Sequence, residues 1–380
     1  IAVLGAGMQA CGVAHYLKND ERVRRAVYFD NNDKSLVNIR RYLGNNDTTA
    51  KLDLSDQNAL FQTLKRGCFD GVLNALPHTL LKKTTETVIR AQLPMVDFGQ
   101  AREKQIQYHE LAKKLGVVCS PAHGLAPGFI SNIAFYAKSQ LDICDRIEML
   151  CGDILQEPIG ESGHLGFFSH EGFDEEYRPM PIVIKNGVPT RLQYLTPQDP
   201  EIFVMPDGRT VNNRRIIKVE TALTAKAFEA DPKLWNVNSV RYATCRHFGY
   251  NHFKTVSEAI RTKTPKEFLN WLKTYIPLAT DEKDMIVLRV RASGKKNGAP
   301  QTVIYEIIDF YDEKTNLSAA QRGTTFPAAE HLLQIIENPD KWPKGVVHHE
   351  PYVDFEATCA GLAKHNLIIR PSMSTFVFDR

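Results

Sequence analysis

The sequence predicts an α/β fold in two domains, and three observations carry that reading. The chain has 380 residues, too many for one small hydrophobic core. Its first 120 residues alternate short β-branched runs with amphipathic helical stretches. After about Asp145 that rhythm gives way to longer alternating runs joined by Asn-Gly and Asp-Gly turns.

The first rhythm places strands at Ile1–Leu4, Ala26–Phe29, Gly71–Ala75, Met95–Val96 and Val117–Cys119, with a weaker one at Ala50–Asp53. Helical patterns fall between them at Lys34–Tyr42, Gln57–Leu64, Leu81–Ala91 and Gln105–Leu115. Such βαβ repetition calls for a parallel sheet covered by helices on both faces. In the second part, "IVIKNGVPTRLQYL" reads as a hairpin turning at Asn186-Gly187, and "FVMPDGRTV" as another turning at Asp207-Gly208. "MIVLRVRA" and "TVIYEIIDFY" flank a third turn, which suggests a mainly antiparallel sheet. Thr264, Pro265 and Glu267 together predict a capped helix start.

Composition excludes some classes of function. Hydrophobic residues make up 43% and charged residues 24%, and the formal charge of +3 is spread along the chain. That is ordinary globular composition, with no basic footprint for nucleic acid or a membrane surface. No apolar run reaches the ~20 residues of a membrane span, and a strand pattern begins where a signal peptide would stand. The seven cysteines lack paired spacings, which argues against a disulfide framework or a zinc site and fits reduced thiols in the cytoplasm.

"VLGAGMQACG" sets Gly5 and Gly7 directly after the first strand, with the small Ala10 in the third fingerprint position. The first glycine permits a tight turn, the second lets a pyrophosphate approach the backbone, and Ala10 allows close helix–strand packing. Asp30 closes the second strand, where an acidic group would accept the ribose hydroxyls and repel a 2′-phosphate. The pattern therefore predicts a Rossmann domain that binds NAD in preference to NADP. Its neighbours would be Met8, Gln9, Asn31, Asp53, Leu54, Leu76 and Pro77, all near strand carboxyl ends. The alternative place for Asp30 is the cap of the next helix.

Three later segments leave strand ends with reactive side chains. "NALPH", "VDFGQ" and "SPAHGLAPG" offer His78, Asp97 and His123. Bland alternatives stand beside each of them: His78 as a helix cap, Asp97 as the anchor of a loop, His123 as a turn residue. His164 and His170 in the long loop at Gln156–Pro179 could line a pocket or face solvent.

The pieces "VLGAG", "NALP", "MVDFG", "GLAPGFISN", "NHFKTV", "DMIVLRV" and "RGTTFPAA" resemble the saccharopine dehydrogenase-like family, closest to its lysine 6-dehydrogenases. The resemblance implies a Rossmann domain of residues 1–126 with 322–380, a substrate and dimerisation domain of residues 127–321, and a homodimer. A helix at Pro327–Glu337 would return the chain to the first domain. The implied reaction oxidises the amine-bearing carbon of an amino acid by hydride transfer to NAD, followed by imine hydrolysis. His123 would serve as base, Asp97 would orient the nitrogen, and His252 in "GYNHF" would contribute from the second domain. A saccharopine- or carboxyspermidine-type reductase, and an inactive NAD-binding sensor, are the alternatives. For such a reductase, Arg214, Arg215 and Arg241 could hold a second carboxylate. One departure stands out: Ala122 occupies a place where such sequences carry aspartate.

Overall fold

The computed structural model describes residues 1–99, 105–193, 197–200, 217–220, 239–249, 252–280 and 282–374. The chain divides into two compact units, Ile1–Phe129 with Gln321–Asn366, and Ile130–Ala320 with Leu367–Arg380. Residues beyond Asn366 thus join the second unit, whereas the sequence reading kept them with the first. A terminal strand that pairs within the second unit's sheet is the reason.

In the first unit a parallel sheet is built from β1 (Ala2–Leu4), β2 (Val27–Asp30), β3 (Thr48–Lys51), β4 (Val72–Asn74), β5 (Met95–Asp97), β6 (Val118–Ser120) and β15 (Gly345–Val346). Their order is β15-β6-β5-β4-β1-β2-β3. Strands β1, β4, β5 and β6 are buried throughout, as a sheet covered on both faces requires. The helices α1 (Met8–Lys18), α2 (Asp33–Asn38), α3 (Gln57–Arg66), α4 (His78–Arg90) and α5 (His109–Lys114) follow successive strands. Leu4, Phe29, Leu60, Val72, Ile89, Met95 and Val117 belong to one apolar core under the sheet. The third strand starts two residues earlier than its sequence pattern suggested, in register with Val27–Asp30.

The order reverses between β1 and β4, since the chain builds outward to β3 and then returns to the other side of β1. That reversal leaves a crevice at the strand carboxyl ends, the place where open α/β sheets take their ligands.

The second unit opens with α6 (Phe129–Ser139) and β7 (Ile143–Leu155), followed by α7 (His170–Tyr177), β8 (Ile182–Lys185), β9 (Val188–Arg191), β10 (Pro197–Pro200), β11 (Ile217–Glu220) and β12 (Tyr242–Gly249). Next come α8 (His252–Thr262), α9 (Pro265–Tyr275), β13 (Asp284–Lys296) and β14 (Ala299–Phe310), with β16 (Arg370–Ser374) at the end. The main path of its sheet runs β10-β11-β12-β7-β13-β14-β16, with β8 and β9 beside β12. Among the described residues all its pairs are antiparallel except β12 with β7. The β8–β9 hairpin turns at Asn186-Gly187, both with positive φ, and β13–β14 turns at Asn297-Gly298 in the same way. The turn expected at Asp207-Gly208 lies outside the described residues, as do Arg214 and Arg215; Arg241 is exposed.

Helices α7, α8 and α9 pack through Phe173, Phe253, Val256, Phe268 and Leu272. Thr264 and Glu267 form the expected capping box at the start of α9, with Pro265 in the first turn. The helix expected to begin at Pro327 is α10 (Ala319–Glu337), which starts eight residues earlier and carries Pro327 inside it. Its first N–H groups are satisfied by Asp284, which accepts from Ala319 and Ala320 at 2.8 Å each. A carboxylate more than thirty residues upstream thus satisfies the start of this helix. The last helix is α11 (Phe355–Ala363).

Candidate functional site

The glycine loop after β1 has the shape that a phosphate needs. Gly5 has φ +96°, and a Cβ built there would stand 3.1 Å from the Ala75 carbonyl oxygen. Only glycine makes that turn without strain. At Gly7 a Cβ would meet nothing within 4 Å, so the main chain faces open space at the N-cap of α1. The helix start has no side-chain cap and no acidic residue in its first turn. The positive end of its dipole is therefore not offset by an acidic side chain and favours an anion there. Ala10 is fully buried, in keeping with its packing role.

Asp30 stands at the end of β2, and its carboxylate does not cap the next helix. Asn32 holds that place, accepting from the N–H groups of Lys34 and Ser35. Asp30 Oδ2 accepts the Ala6 N–H at 2.8 Å and Oδ1 accepts the Asn32 N–H at 2.8 Å. It braces the glycine loop and sits beside Asn31, which is exposed.

Around the crevice the other expected residues divide. Met8 is 38% exposed at the helix start, and Gln9 is half-buried beside it. Asp53 is exposed and accepts from the Ser55 N–H and hydroxyl, which pull its carboxyl below the ordinary range. Leu54 instead joins the apolar core, so its side chain is not free for a ligand. Leu76 is half-buried and Pro77 exposed, directly before α4. His78 is the first residue of that helix and Pro77 its N-cap, so His78 does not cap a helix beginning near Leu80.

One residue of this crevice carried no signal in the sequence reading. Asn74 ends β4 opposite Leu4 and is fully buried, with Oδ1 accepting the Leu76 N–H at 3.1 Å. Its amide nitrogen has no hydrogen-bond partner. An orphaned buried donor beside the glycine loop is what a dinucleotide-binding crevice would hold for its ligand.

On the other side of the switch point, Asp97 is fully buried at the end of β5. Oδ1 accepts from the Gly99 N–H at 2.7 Å and the Ala122 N–H at 3.3 Å, and Oδ2 accepts from Gln105 Nε2 at 2.8 Å. The Asp97 carbonyl takes the His123 N–H at 2.8 Å. Burial pushes its carboxyl up to about 6, with these donors opposing. Asp97 thus anchors the Ala122–His123 loop instead of reaching for a substrate nitrogen. Within that loop, Ala122 itself adopts φ +65°. A Cβ on Gly128 would lie 2.4 Å from the Gly124 carbonyl oxygen, so the loop closes only with glycine there.

His123 is also fully buried. Nε2 lies 2.8 Å from Ser120 Oγ and Nδ1 lies 2.9 Å from Nδ1 of His331 on α10. His349, just past β15, places its ring 4.2 Å from that of His123, and its Nε2 lies 3.2 Å from the Ala122 carbonyl oxygen. Burial first, then the neighbouring imidazoles, drives His123 well below its ordinary value, so it is neutral at pH 7. The Nδ1–Nδ1 bond then requires complementary tautomers, one ring donating and the other accepting. His123 was expected to face a cleft as a base, yet both of its nitrogens are engaged inside the unit. His331 and His349 were missed. "GVVHHEP" does repeat the apolar-run-then-polar pattern of the other strand ends, whereas His331 in mid-helix gives no local sign.

His252 opens α8 in the second unit, and His164 stacks on it with ring centroids 4.6 Å apart. His170 is held by the Ile276 carbonyl, 2.9 Å from its Nε2. Among the described residues no group of three or more His, Cys, Asp or Glu side chains could hold a metal ion. No described helix is long and apolar enough to cross a membrane, and all seven cysteines are unpaired.

The parallel sheet, its switch point and the open glycine cradle define a dinucleotide-binding Rossmann unit, followed by a second unit with a mostly antiparallel sheet. Residues 1–119 match the family model described as the saccharopine dehydrogenase NADP binding domain. Over nearly its whole length the chain is similar to the apo saccharopine dehydrogenase (L-Glu forming) of Saccharomyces cerevisiae. That likeness has TM-score 0.75 at 14% identity and covers 98% of this chain and 99% of that one. The homospermidine synthase of Legionella pneumophila, solved with NAD, is similar with TM-score 0.62 at 11% identity, over 99% and 91% of the two chains. At these identities the likeness is one of fold.

Proposed function

We propose that this protein is an NAD-dependent oxidoreductase acting on the amine-bearing carbon of a lysine-like amino acid. The observation that carries the reading is the cradle at Gly7, open where a pyrophosphate would lie and braced by Asp30. The Asp30 carboxylate supports NAD over NADP, since it would repel a 2′-phosphate. Asn74 and the main chain of Leu76-Pro77 would complete the hold. When bound, the nicotinamide supplies the hydride acceptor. The amine substrate is supported by the match of residues 1–119 and by the names of the two similar proteins.

The chain's own residues have two tasks in this reading. An alkylammonium with pKa about 10.4 must lose a proton before hydride can leave its carbon, and water must then be activated against the imine. Because both nitrogens of His123 are engaged, it acts as a positioning residue: with Asp97 it fixes the loop that leaves β6. The same observation favours a second reading, a dinucleotide-binding sensor without turnover.

Reduction of NAD, followed at 340 nm with L-lysine, other amino acids and diamines, separates the two. Turnover with an amino acid supports the enzyme. NAD binding in the micromolar range with no turnover on any of them would leave the sensor. Gly7→Val should weaken NAD binding at least 100-fold while melting stays unchanged, and unaltered binding would refute the cradle.

A further inference from the structure

Two histidines of the second unit stand in an unusual state. His164, in the segment between β7 and α7, and His252, at the start of α8, are 5% and 2% exposed. Their rings are 2° from parallel. Nδ1 of His164 and both ring nitrogens of His252 have no hydrogen-bond partner. Elsewhere in this unit His170 bonds a carbonyl and His247 pairs with Glu176, so not every buried imidazole here is left bare.

Burial lowers both rings, His164 to about 4 and His252 well below the usual range, so both are neutral at pH 7. A neutral imidazole presents one N–H and one lone pair. His252 therefore leaves one donor and one acceptor unmet, and a buried polar group without a partner is costly unless something fills the need. Among the described residues, aromatic rings stand against the pair. His164 meets Phe167 and Phe173 edge-on, and His252 lies 4.2 Å from Phe253. Among the described residues no carboxylate, lysine or arginine shifts either ring; burial does so for both, and His164 adds to it for His252.

These facts restrict what can bind. A single metal ion is a poor fit, because in-plane lone pairs of two parallel rings do not converge on one point. A diamine supplies donors only and brings net charge to an apolar wall; a dicarboxylate supplies acceptors only and does the same. The fitting group has a donor and an acceptor side by side with no net charge, which describes an ammonium next to a carboxylate. We propose that the His164–His252 pair binds the α-amino-carboxylate head of the substrate. The proposal rests on the amino-acid reading above and adds where such a substrate is recognised.

The test uses the full chain with 15N-labelled histidine. Ring resonances are followed while L-lysine, L-ornithine or L-glutamate is added, each beside its decarboxylated partner: 1,5-diaminopentane, 1,4-diaminobutane or 4-aminobutanoate. At least one α-amino acid should move the His164 and His252 rings together, and its partner should bind at least 10-fold more weakly. His164→Phe, which keeps the stack, and His252→Gln should each weaken that amino acid at least 10-fold while the Kd for NAD is unchanged. Rings that move with no amino acid, or equally with the decarboxylated amines, would overturn the proposal. So would His164→Phe protein that binds the amino acid normally. NAD reduction that survives His164→Phe with unchanged KM removes this subsite and leaves the oxidoreductase standing. Ring shifts without any NAD reduction do the reverse.

Discussion

Among the described residues, two buried groups of neutral imidazoles, one in each unit, are built on opposite plans. In the first unit, His123 sits between Ser120 and His331, with both nitrogens bonded at 2.8 and 2.9 Å. In the second unit, His164 and His252 are equally buried, yet three of their ring nitrogens are bare. Burial makes both groups neutral, so charge does not separate them. Hydrogen bonding does. His123, bonded through both nitrogens, fixes a backbone loop and leaves only Nε2 of His331 bare, whereas the His164–His252 pair keeps most of its bonding capacity for something else.

The sharpest way to break this contrast is His123→Ala. Losing the ring leaves a cavity, an unpaired His331 and an unpaired Ser120, so we expect a loss of about 3–5 kcal/mol in denaturant unfolding. A loss within the error of the extrapolation would mean the network is not holding the fold.

Acid comes next. His164 is lowered to about 4, so the unfolded chain takes up its proton first as pH falls below about 6.5. The stability it contributes is complete above pH 6.5 and is lost on the way down to pH 4. Asp97, raised to about 6, works with the opposite sign: its contribution is complete below its unfolded value and is lost as pH rises through 6. His164→Phe removes only the first of these. Compared with the wild type, the variant should gain about 3 kcal/mol in relative stability between pH 6.5 and pH 4. Parallel pH–stability curves for the two proteins would show that His164 is not held neutral.

A smaller effect is expected for Asp97→Asn, about 1–2 kcal/mol at pH 7.5, because the amide keeps one acceptor but turns a donor toward Gln105. The difference from the wild type should widen as pH falls from 6 towards 4, because only the wild type gains stability by protonating Asp97 in the folded state; a constant difference would assign the effect to packing. The smallest change is His164→Phe at pH 7.5, within about 1 kcal/mol, since that nitrogen has no bond to lose. A loss as large as that of His123→Ala would erase the distinction between the two groups.

Local chemistry made much of the fold legible. The glycine turn after β1, the Asn-Gly hairpins and the capping box at Thr264 each depend on neighbours within a few residues. Gly5 at φ +96° and Asn186 at φ +52° are where short-range sterics puts them. Other features needed distant partners. The start of α10 is set by Asp284, which no pattern around Ala319 reveals. The bonds of His123 depend on His331, 208 residues away. A histidine in a loop looks the same in sequence whether its nitrogens face a cleft or another helix. For that reason its position was readable and its role was not.

One consequence follows from the strand at Gly345–Val346. It pairs with β6 and forms the last edge of the parallel sheet, though residues 130–320 of the second unit precede it in the chain. During synthesis, the first six strands emerge long before their seventh, so β6 waits with one side unpaired while some two hundred residues are added. An uncovered strand edge invites pairing with other chains. A fragment ending near residue 119 would carry the whole glycine fingerprint and still lack the strand that closes this edge. The dinucleotide-binding half is therefore the first to begin folding and among the last to finish.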